Sequence, residues 1–409
     1  MIEIKDKCQC SGCSACEQRC PRQCISLKED QEGFMYPFVD IENCIDCGLC
    51  EKVCPIINQG EPRFPLKVFA AKNKNEEIRS KSSSGGIFTL LAESIIQEGG
   101  VVFGARFDES WNVIHDYTET IEGLAAFRGS KYVQSRIGRS FRQVESFLKA
   151  GRKVLFSGTP CQVSGLKHYL LNDYDNLLTI DFVCHGVPSP LVWREYLQTL
   201  FMPKNTGRES TVLSSHTDKP VITDINFRDK LSGWKKYGFV VRSRPIPDKD
   251  RNNGSIPEDQ VFLREPFYEN IFMRGFLHDI YLRPSCYDCQ VKSGKSGADI
   301  TLGDFWGIDN LLPEFDDDKG VSLVMVQTLK GNSRFKRTIS ECYEVEYEKT
   351  IVLNPAIEKS ANCNSKYRLM FWRSKNKISQ ISLILSKMKP GYVRICIGFI
   401  KRKIIKMFI

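Results

Sequence analysis

The run Cys10-x2-Cys13-x2-Cys16-x3-Cys20-Pro21 recurs 34 residues later as Cys44-x2-Cys47-x2-Cys50-x3-Cys54-Pro55, and no other feature restricts what this chain can fold into so tightly. In such an arrangement three closely spaced thiolates grip one cube of iron and sulfur, while the fourth cysteine of each run ligates the other cube. Cys10, Cys13, Cys16 and Cys54 are therefore the expected ligands of one 4Fe-4S cluster, and Cys44, Cys47, Cys50 and Cys20 those of a second. A structural zinc site is the competing reading, but zinc motifs separate two ligand pairs by a longer spacer. The repeat predicts a pseudo-twofold, bacterial-type two-cluster ferredoxin domain over residues 1–58. Cys8 and Cys24 fall outside the pattern and read as spare buried thiols.

Ten of the 17 cysteines precede residue 55. The N-terminus, Met1-Ile2-Glu3-Ile4-Lys5-Asp6, has no apolar signal core, and no run approaches the ~18 apolar residues of a membrane span. A cytoplasmic location is expected, where a reducing environment leaves thiols to metals and catalysis rather than to disulfides. At 409 residues the chain exceeds one ordinary core. Its net charge of +9 is matched by nine Lys and Arg between Lys375 and the end, a stretch without a single acid. The rest is near neutral, so no nucleic-acid partner is expected for the body.

A Pro- and Gly-bearing linker covers residues 59–66. Beyond it, Val68–Ala71, Val101–Phe103, Val154–Phe156 and Leu178–Val183 read as strands, with helices from Ile87, around Phe141, after Thr159 and after Ser189. The fold class is α+β: the ferredoxin domain, then an α/β part over 67–175 and a more extended α+β part over 176–355. Residues 375–409 form a basic amphipathic tail, with Ile397, Ile400, Ile404, Ile405 and Phe408 on one face beside Lys401, Arg402, Lys403 and Lys406. Such a helix can lie peripherally on the inner face of an anionic membrane, or it can pack on the body or a partner.

Four more cysteines stand in suggestive settings: Cys161 in Gly158-Thr159-Pro160-Cys161-Gln162, Cys184 in Cys184-His185-Gly186, and the pair Cys286-x2-Cys289. Thr159 can cap a helix with Pro160 at its first position, placing Cys161 at a positive helix end that favours a thiolate. Four thiolates can complete a third cluster, and buried or redox-active cysteines explain them equally well from chemistry alone. Ser82-Ser83-Ser84-Gly85-Gly86 enters a helix and offers hydroxyls and amides to a phosphate, or else is a capped turn. Gly294-Lys295-Ser296 lacks the upstream glycine of a Walker motif, and no Gly-x-Gly-x-x-Gly opens a helix. Of the five histidines, His185 alone adjoins a candidate ligand.

Taken together, Lys81–Gly86, Gly129-Ser130-Lys131-Tyr132-Val133-Gln134-Ser135, Gly158–Gln162, Cys184-His185-Gly186, Phe227-Arg228-Asp229-Lys230, Arg283-Pro284-Ser285-Cys286-x2-Cys289 and Ala298-Asp299-Ile300-Thr301-x-Gly303-Asp304-x-Trp306 resemble the family of coenzyme F-420 hydrogenase/dehydrogenase beta subunits. The resemblance implies non-covalent FAD in the α/β module and a third 4Fe-4S cluster on Cys161, Cys184, Cys286 and Cys289. Ser83, Ser84, Gly85, Gly86, Lys131, Tyr132 and Gln134 become flavin-site candidates, with Lys131 and His185 as candidate proton donors or anion stabilisers. The expected function is an FAD-dependent iron–sulfur oxidoreductase passing electrons between a ferredoxin-type carrier and a substrate or small redox cofactor. An electron-transfer subunit with no substrate of its own is the first rival. An iron–sulfur sensor that binds nucleic acid through the basic tail is the second.

Overall fold

The computed structural model describes residues 1–200, 220–244, 258–338 and 340–388. The apolar face expected over 397–408, together with His216 and Cys396, lies outside the described residues.

The duplication of the cysteine runs is repeated in the backbone. Gly12 and Ser14 have φ of 73° and 66°, and their counterparts Asp46 and Gly48 have 49° and 70°. Left-handed backbone costs a non-glycine side chain energy, and each run carries one such residue, Ser14 in the first and Asp46 in the second, so the shared loop shape is one that the local structure enforces. Each loop feeds a short helix, Ala15–Arg19 or Leu49–Lys52. The antiparallel hairpin of β1 (Ile25–Glu29) and β2 (Met35–Val39) completes the domain.

Eleven strands follow among the described residues: β3 (Lys67–Asn73), β4 (Val101–Phe107), β5 (Val113–Thr118), β6 (Val154–Gly158), β7 (Leu177–Phe182), β8 (Val221–Asp229), β9 (Gly238–Arg244), β10 (Gln260–Pro266), β11 (Ile300–Asp304), β12 (Ser322–Val326) and β13 (Ser340–Val345). Eight of them make one sheet in the order β13-β3-β12-β11-β7-β6-β4-β5. Strands β4, β6, β7 and β11 run parallel, with antiparallel strands on both sides. Strand β6 is buried along its whole length, as continuous apolar runs covered by helices on both faces require. The expected strands and helices are present, and residues 67–175 and 176–355 contribute to the same sheet. A separate antiparallel sheet of β8, β9 and β10 supplies the extended character of the second part.

Two packing facts position the sites. Cys13, Ala15 and Val53 of the ferredoxin domain share a buried core with Phe141, Val144, Val163 and Leu166 on the helices Ser140–Lys149 and Pro160–Leu170. The ferredoxin domain is thus a packed layer of the molecule rather than a tethered appendage, and the stretch 59–66 follows it across the surface, with Arg63 N donating to Ser293 O and Leu66 N to Val326 O. At the other end, the helix Lys377–Lys387 inserts Ile381 and Ile384 into the aromatic core around Trp193 and Phe272. The first part of the basic tail therefore packs on the body. Among the described residues no helix is long and apolar enough to cross a membrane.

Candidate functional site

Cys10, Cys13, Cys16 and Cys54 line one pocket, together with Ile2, Ile4, Leu27 and Ile56. Cys16 interacts with Cys10, Cys13 and Cys54, Cys13 with Cys10 and Cys54, and burial pushes Cys13, Cys16 and Cys54 upward. Thiols left neutral by desolvation become thiolates when a multivalent cationic core shares the space, so the donor set and the cradle fit a cluster. Among the described residues no three His, Cys, Asp or Glu side chains converge on a single-ion point.

Cys20, Cys44 and Cys50 gather in a second cluster of side chains, where Cys50 Sγ accepts from Ile2 N at 3.3 Å and Cys44 Sγ from Asp46 N at 3.4 Å. Cys47 is exposed at its edge. The reading of Cys8 and Cys24 as spare buried thiols needs correction. Cys8 is exposed, whereas Cys24 is buried with its Sγ 3.4 Å from Cys20 Sγ and interacts with Cys44, so it adjoins the second site.

The dispersed cysteines are brought together by the sheet. Strand β6 ends at Gly158, opposite Asp181 near the end of the adjacent parallel strand β7, so the segments that follow carry Cys161 and Cys184 to neighbouring positions at the carboxyl edge, where α/β folds place ligands. The segment carrying Cys286 docks there through Arg283 N, which donates to Val187 O, and through Val187 N, which donates to Cys286 Sγ at 3.4 Å. Cys289 N donates to Ser360 Oγ, and Lys292 Nζ donates to Cys184 O at 2.5 Å. Cys161, Cys184, Cys286 and Cys289 all interact with one another. Thr159 and Pro160 start the helix as expected, with Thr159 N donating to Gln162 Oε1 at 2.9 Å. The helix end does not make Cys161 acidic: burial outweighs it and pushes the thiol up to about 12, with Cys184 at about 11 for the same reason.

The helix Pro160–Leu170 also joins two cysteine groups. Gly165 lies four residues after Cys161, about 6 Å along the axis, and a Cβ built on it would stand 2.7 Å from Cys13 Cβ. Cys13 and Cys161 lie within electrostatic reach of each other. Neither Gly165 nor this junction is visible as a motif in the sequence.

A site without cysteines forms where the Ser-Gly, Lys-Tyr, Arg-Asp-Lys and Gly-Asp-x-Trp stretches meet. Ser83 Oγ accepts from Ser130 N at 2.6 Å. Lys230 Nζ donates to Ser84 O at 2.7 Å, and Arg228 Nη1 donates to Tyr132 Oη at 3.2 Å and to Asp304 at 2.8 Å. Trp234 Nε1 donates to Asp304 Oδ1 and stacks on Trp306 at 4.9 Å. Burial works against the Arg228 guanidinium, but Asp304 beside it more than offsets that and keeps it charged. The guanidinium lies over the Tyr237 ring at 4.0 Å, and its Nε and Nη2 are buried without hydrogen-bond partners, a cost that an anion at this spot would remove. Lys131, half-buried with Nζ donating to Arg128 O and Gly129 O, is lowered by desolvation to about 7, and so is Lys230. Gly85 is fixed by packing instead, since a Cβ there would meet Ala71 O at 2.4 Å; Ser84 Oγ is engaged with Val321 O. Gly86 starts the helix Ile87–Gln97 in the left-handed region.

Gln134 does not join this group: its amide donates to Ser11 O of the ferredoxin domain and accepts from Arg283. His185 connects to it through aromatic rings. Tyr132 stacks on Phe276 at 4.8 Å, Phe276 meets the His185 ring edge-on at 5.3 Å, and His185 Nε2 is 2.5 Å from Asp279 Oδ1.

Comparisons with known proteins give the family. Residues 68–140 match the model "Coenzyme F420 hydrogenase/dehydrogenase, beta subunit N-term", residues 151–350 match the corresponding C terminus, and residues 9–56 match a 4Fe-4S dicluster domain. The chain belongs to the family of coenzyme F420 hydrogenase/dehydrogenase beta subunits. Proteins to which it is similar include the coenzyme F420-dependent sulfite reductase of Methanocaldococcus jannaschii, 26% identical over 52% of this chain and 34% of that protein. A subunit of the F(420)H(2) dehydrogenase of Methanosarcina mazei is 25% identical over 37% of this chain and 46% of its own length. An uncharacterized protein of Methanocaldococcus jannaschii is 24% identical over 89% of this chain and 95% of its own length. The matches thus span less than half of each of the first two relatives. Its family and its dicluster domain make the chain an iron–sulfur redox protein.

Proposed function

We propose that this protein is an FAD-dependent iron–sulfur oxidoreductase that passes electrons between a ferredoxin-type carrier and a substrate or small cofactor reduced at the flavin. The observation that carries the reading is the shared helix, which starts beside Cys161 and one turn later presses Gly165 against Cys13. When bound, the flavin handles electron pairs and the clusters handle single electrons, so each complements the other.

Cys10, Cys13, Cys16 and Cys54 hold the inner ferredoxin cluster in this reading, and Cys44, Cys47, Cys50 and Cys20 hold the outer one. Cys161, Cys184, Cys286 and Cys289 hold the third, at the carboxyl edge of the sheet. Ser83, Gly86 and the start of the helix Ile87–Gln97 receive the dinucleotide phosphates, while the unpartnered nitrogens of Arg228 add a donor pair that the sequence-based candidates did not include. Lys131 Nζ, near half-charged at neutral pH, is the group that holds or releases a proton. His185 Nε2, fixed on Asp279, is the second such group. Around Cys47, exposed Ile41 and Ile45 sit among Asp40, Glu42 and Asp46, a face suited to a redox protein with a basic rim. Peripheral membrane contact through residues beyond Lys387 rests on their sequence pattern.

The sulfite reductase and dehydrogenase relatives name coenzyme F420 in their own activities, which favours a soluble two-electron carrier of that class as the small cofactor. The second of them is a subunit, which supports the alternative of an electron-transfer subunit within a larger complex. Anaerobic reconstitution followed by iron and flavin counts tests the proposal. About twelve irons, on four per cube, and one flavin per chain are expected; full iron with no flavin contradicts it. Flavin reduction by a small donor in the absence of any partner separates the oxidoreductase from the subunit reading.

A further inference from the structure

Arg283 opens the stretch that carries Cys286, yet its side chain turns the other way, into the ferredoxin domain. It is 1% exposed. Nε donates to Cys10 O at 2.7 Å, Nη2 donates to Met35 O at 2.9 Å and lies 3.5 Å from Cys10 Sγ, and Nη1 donates to Gln134 Oε1 at 3.0 Å. Its guanidinium sits 4.3 Å from the ring centre of Tyr36. Gly12 leaves room for it, because a Cβ there would stand 2.7 Å from Nη1. None of these partners carries a formal charge apart from what Cys10 acquires as a ligand, and a buried cation without a counter-charge is costly. Two further donors are stranded nearby. Ser11 Oγ and Tyr36 Oη are buried without partners; Ser11 lines the cavity ringed by the four cysteines, and Tyr36 interacts with Cys10.

We propose that Arg283, assisted by Tyr36 and Ser11, sets the reduction potential of the inner ferredoxin cluster. The inference rests on the reading of Cys10, Cys13, Cys16 and Cys54 as its ligands. Adding an electron to a thiolate-bound cube makes an anionic group more negative, which burial opposes and which a cation and hydrogen-bond donors at the sulfurs favour. The outer site has water at Cys47 to ease that charge; the inner site has Arg283. The catalytic module thereby supplies the charge that keeps the cluster against it reducible, so passage of an electron between modules depends on their being docked. Arg283 also lies within electrostatic reach of Cys161.

The test is an anaerobic redox titration followed by electron paramagnetic resonance on the reconstituted full chain and on Arg283→Gln, Arg283→Lys and Tyr36→Phe. In Arg283→Gln one ferredoxin-type midpoint is expected to fall, with at least a tenfold lower reduced-to-oxidised ratio at fixed potential, which is about 59 mV for a one-electron couple. The other midpoint stays in place. Arg283→Lys recovers most of the shift, and Tyr36→Phe moves the same midpoint downward by less. Unmoved midpoints at full iron content overturn the inference, as does a Lys variant that behaves like the Gln variant. Should the Gln variant lose iron, the other two decide: a downward shift in Tyr36→Phe with a near-native Lys variant supports the role, and no shift in Tyr36→Phe overturns it. Failure of the ligand reading appears separately, as unmutated protein that never binds the ferredoxin-domain iron.

Discussion

Gly165→Ala puts two opposing effects at one atom. Within the helix Pro160–Leu170 alanine is favoured over glycine by about 1 kcal/mol. The added Cβ, however, would stand 2.7 Å from Cys13 Cβ and 3.0 Å from Cys13 Sγ, against an ordinary carbon–carbon contact of about 3.5–4.0 Å. Both clashing atoms are close to the backbone, so relief requires moving the loop that carries Cys10 to Cys16 by roughly 1 Å, and overpacking of this kind costs about 1–3 kcal/mol. The expected net effect is destabilisation by up to about 2 kcal/mol. Urea unfolding of the reconstituted protein, followed by visible cluster absorbance, measures it, and the rate of cluster-to-flavin transfer should fall as well. An alanine variant that is about 1 kcal/mol more stable, with unchanged transfer, would show that the ferredoxin domain does not rest on this helix.

Three further outcomes concern other parts of the molecule. Lys131 and Lys230 are lowered to about 7 by burial, and an anion bound beside them raises both again, so flavin binding takes up protons and its affinity should fall as pH rises through about 7; Lys131→Met should flatten that dependence in a fluorescence titration, and a slope that is unchanged or reversed rules the site out. Ile41 and Ile45 are 71% and 61% exposed beside acidic residues, so reduction of cytochrome c, a basic acceptor protein, should slow with added salt and with Ile45→Asp, while reduction of a small viologen changes with neither. Ending the chain at Lys375 removes Ile381 and Ile384, both fully buried, at about 2–3 kcal/mol each, whereas ending it at Lys387 should keep native stability in a thermal melt; equal retention of the Lys387-truncated and full-length chains on anionic liposomes discards the membrane role.

What the sequence revealed was chemistry carried by local spacing. The two cysteine runs specify their loops because ligands to one cube must sit within a few residues of one another, and Thr159-Pro160 marks a helix start for equally local reasons. The Ser-Gly stretch was only half legible. Its hydroxyls and glycines suggested a phosphate cradle, but Ser84 and Gly85 are occupied by contacts with Val321, Ala71 and Ser322, two of which lie in a strand region far along the chain. Gln134 sat in a stretch read as flavin-binding, and its actual partners, Ser11 and Arg283, come from the ferredoxin domain and the second half of the chain. Gly165 belonged to no motif, and Arg228 and Arg283 stood in stretches that resemble the family without a visible role, since the contacts of a guanidinium or a crowded glycine are defined by what lies across an interface and not by its neighbours in sequence.

The proposed electron path stands or falls with Cys161, Cys184, Cys286 and Cys289 as one ligand set between the flavin site and the ferredoxin domain. Cys286→Ser isolates that set, because the eight ferredoxin cysteines all lie between Cys10 and Cys54 and remain intact. Iron should drop from about twelve to about eight atoms per chain, with flavin reduction by a small donor preserved and transfer from flavin to the ferredoxin clusters lost. A Cys286→Ser protein that keeps all its iron and still passes electrons to the ferredoxin domain would show that these four cysteines hold no cluster and that the path runs elsewhere.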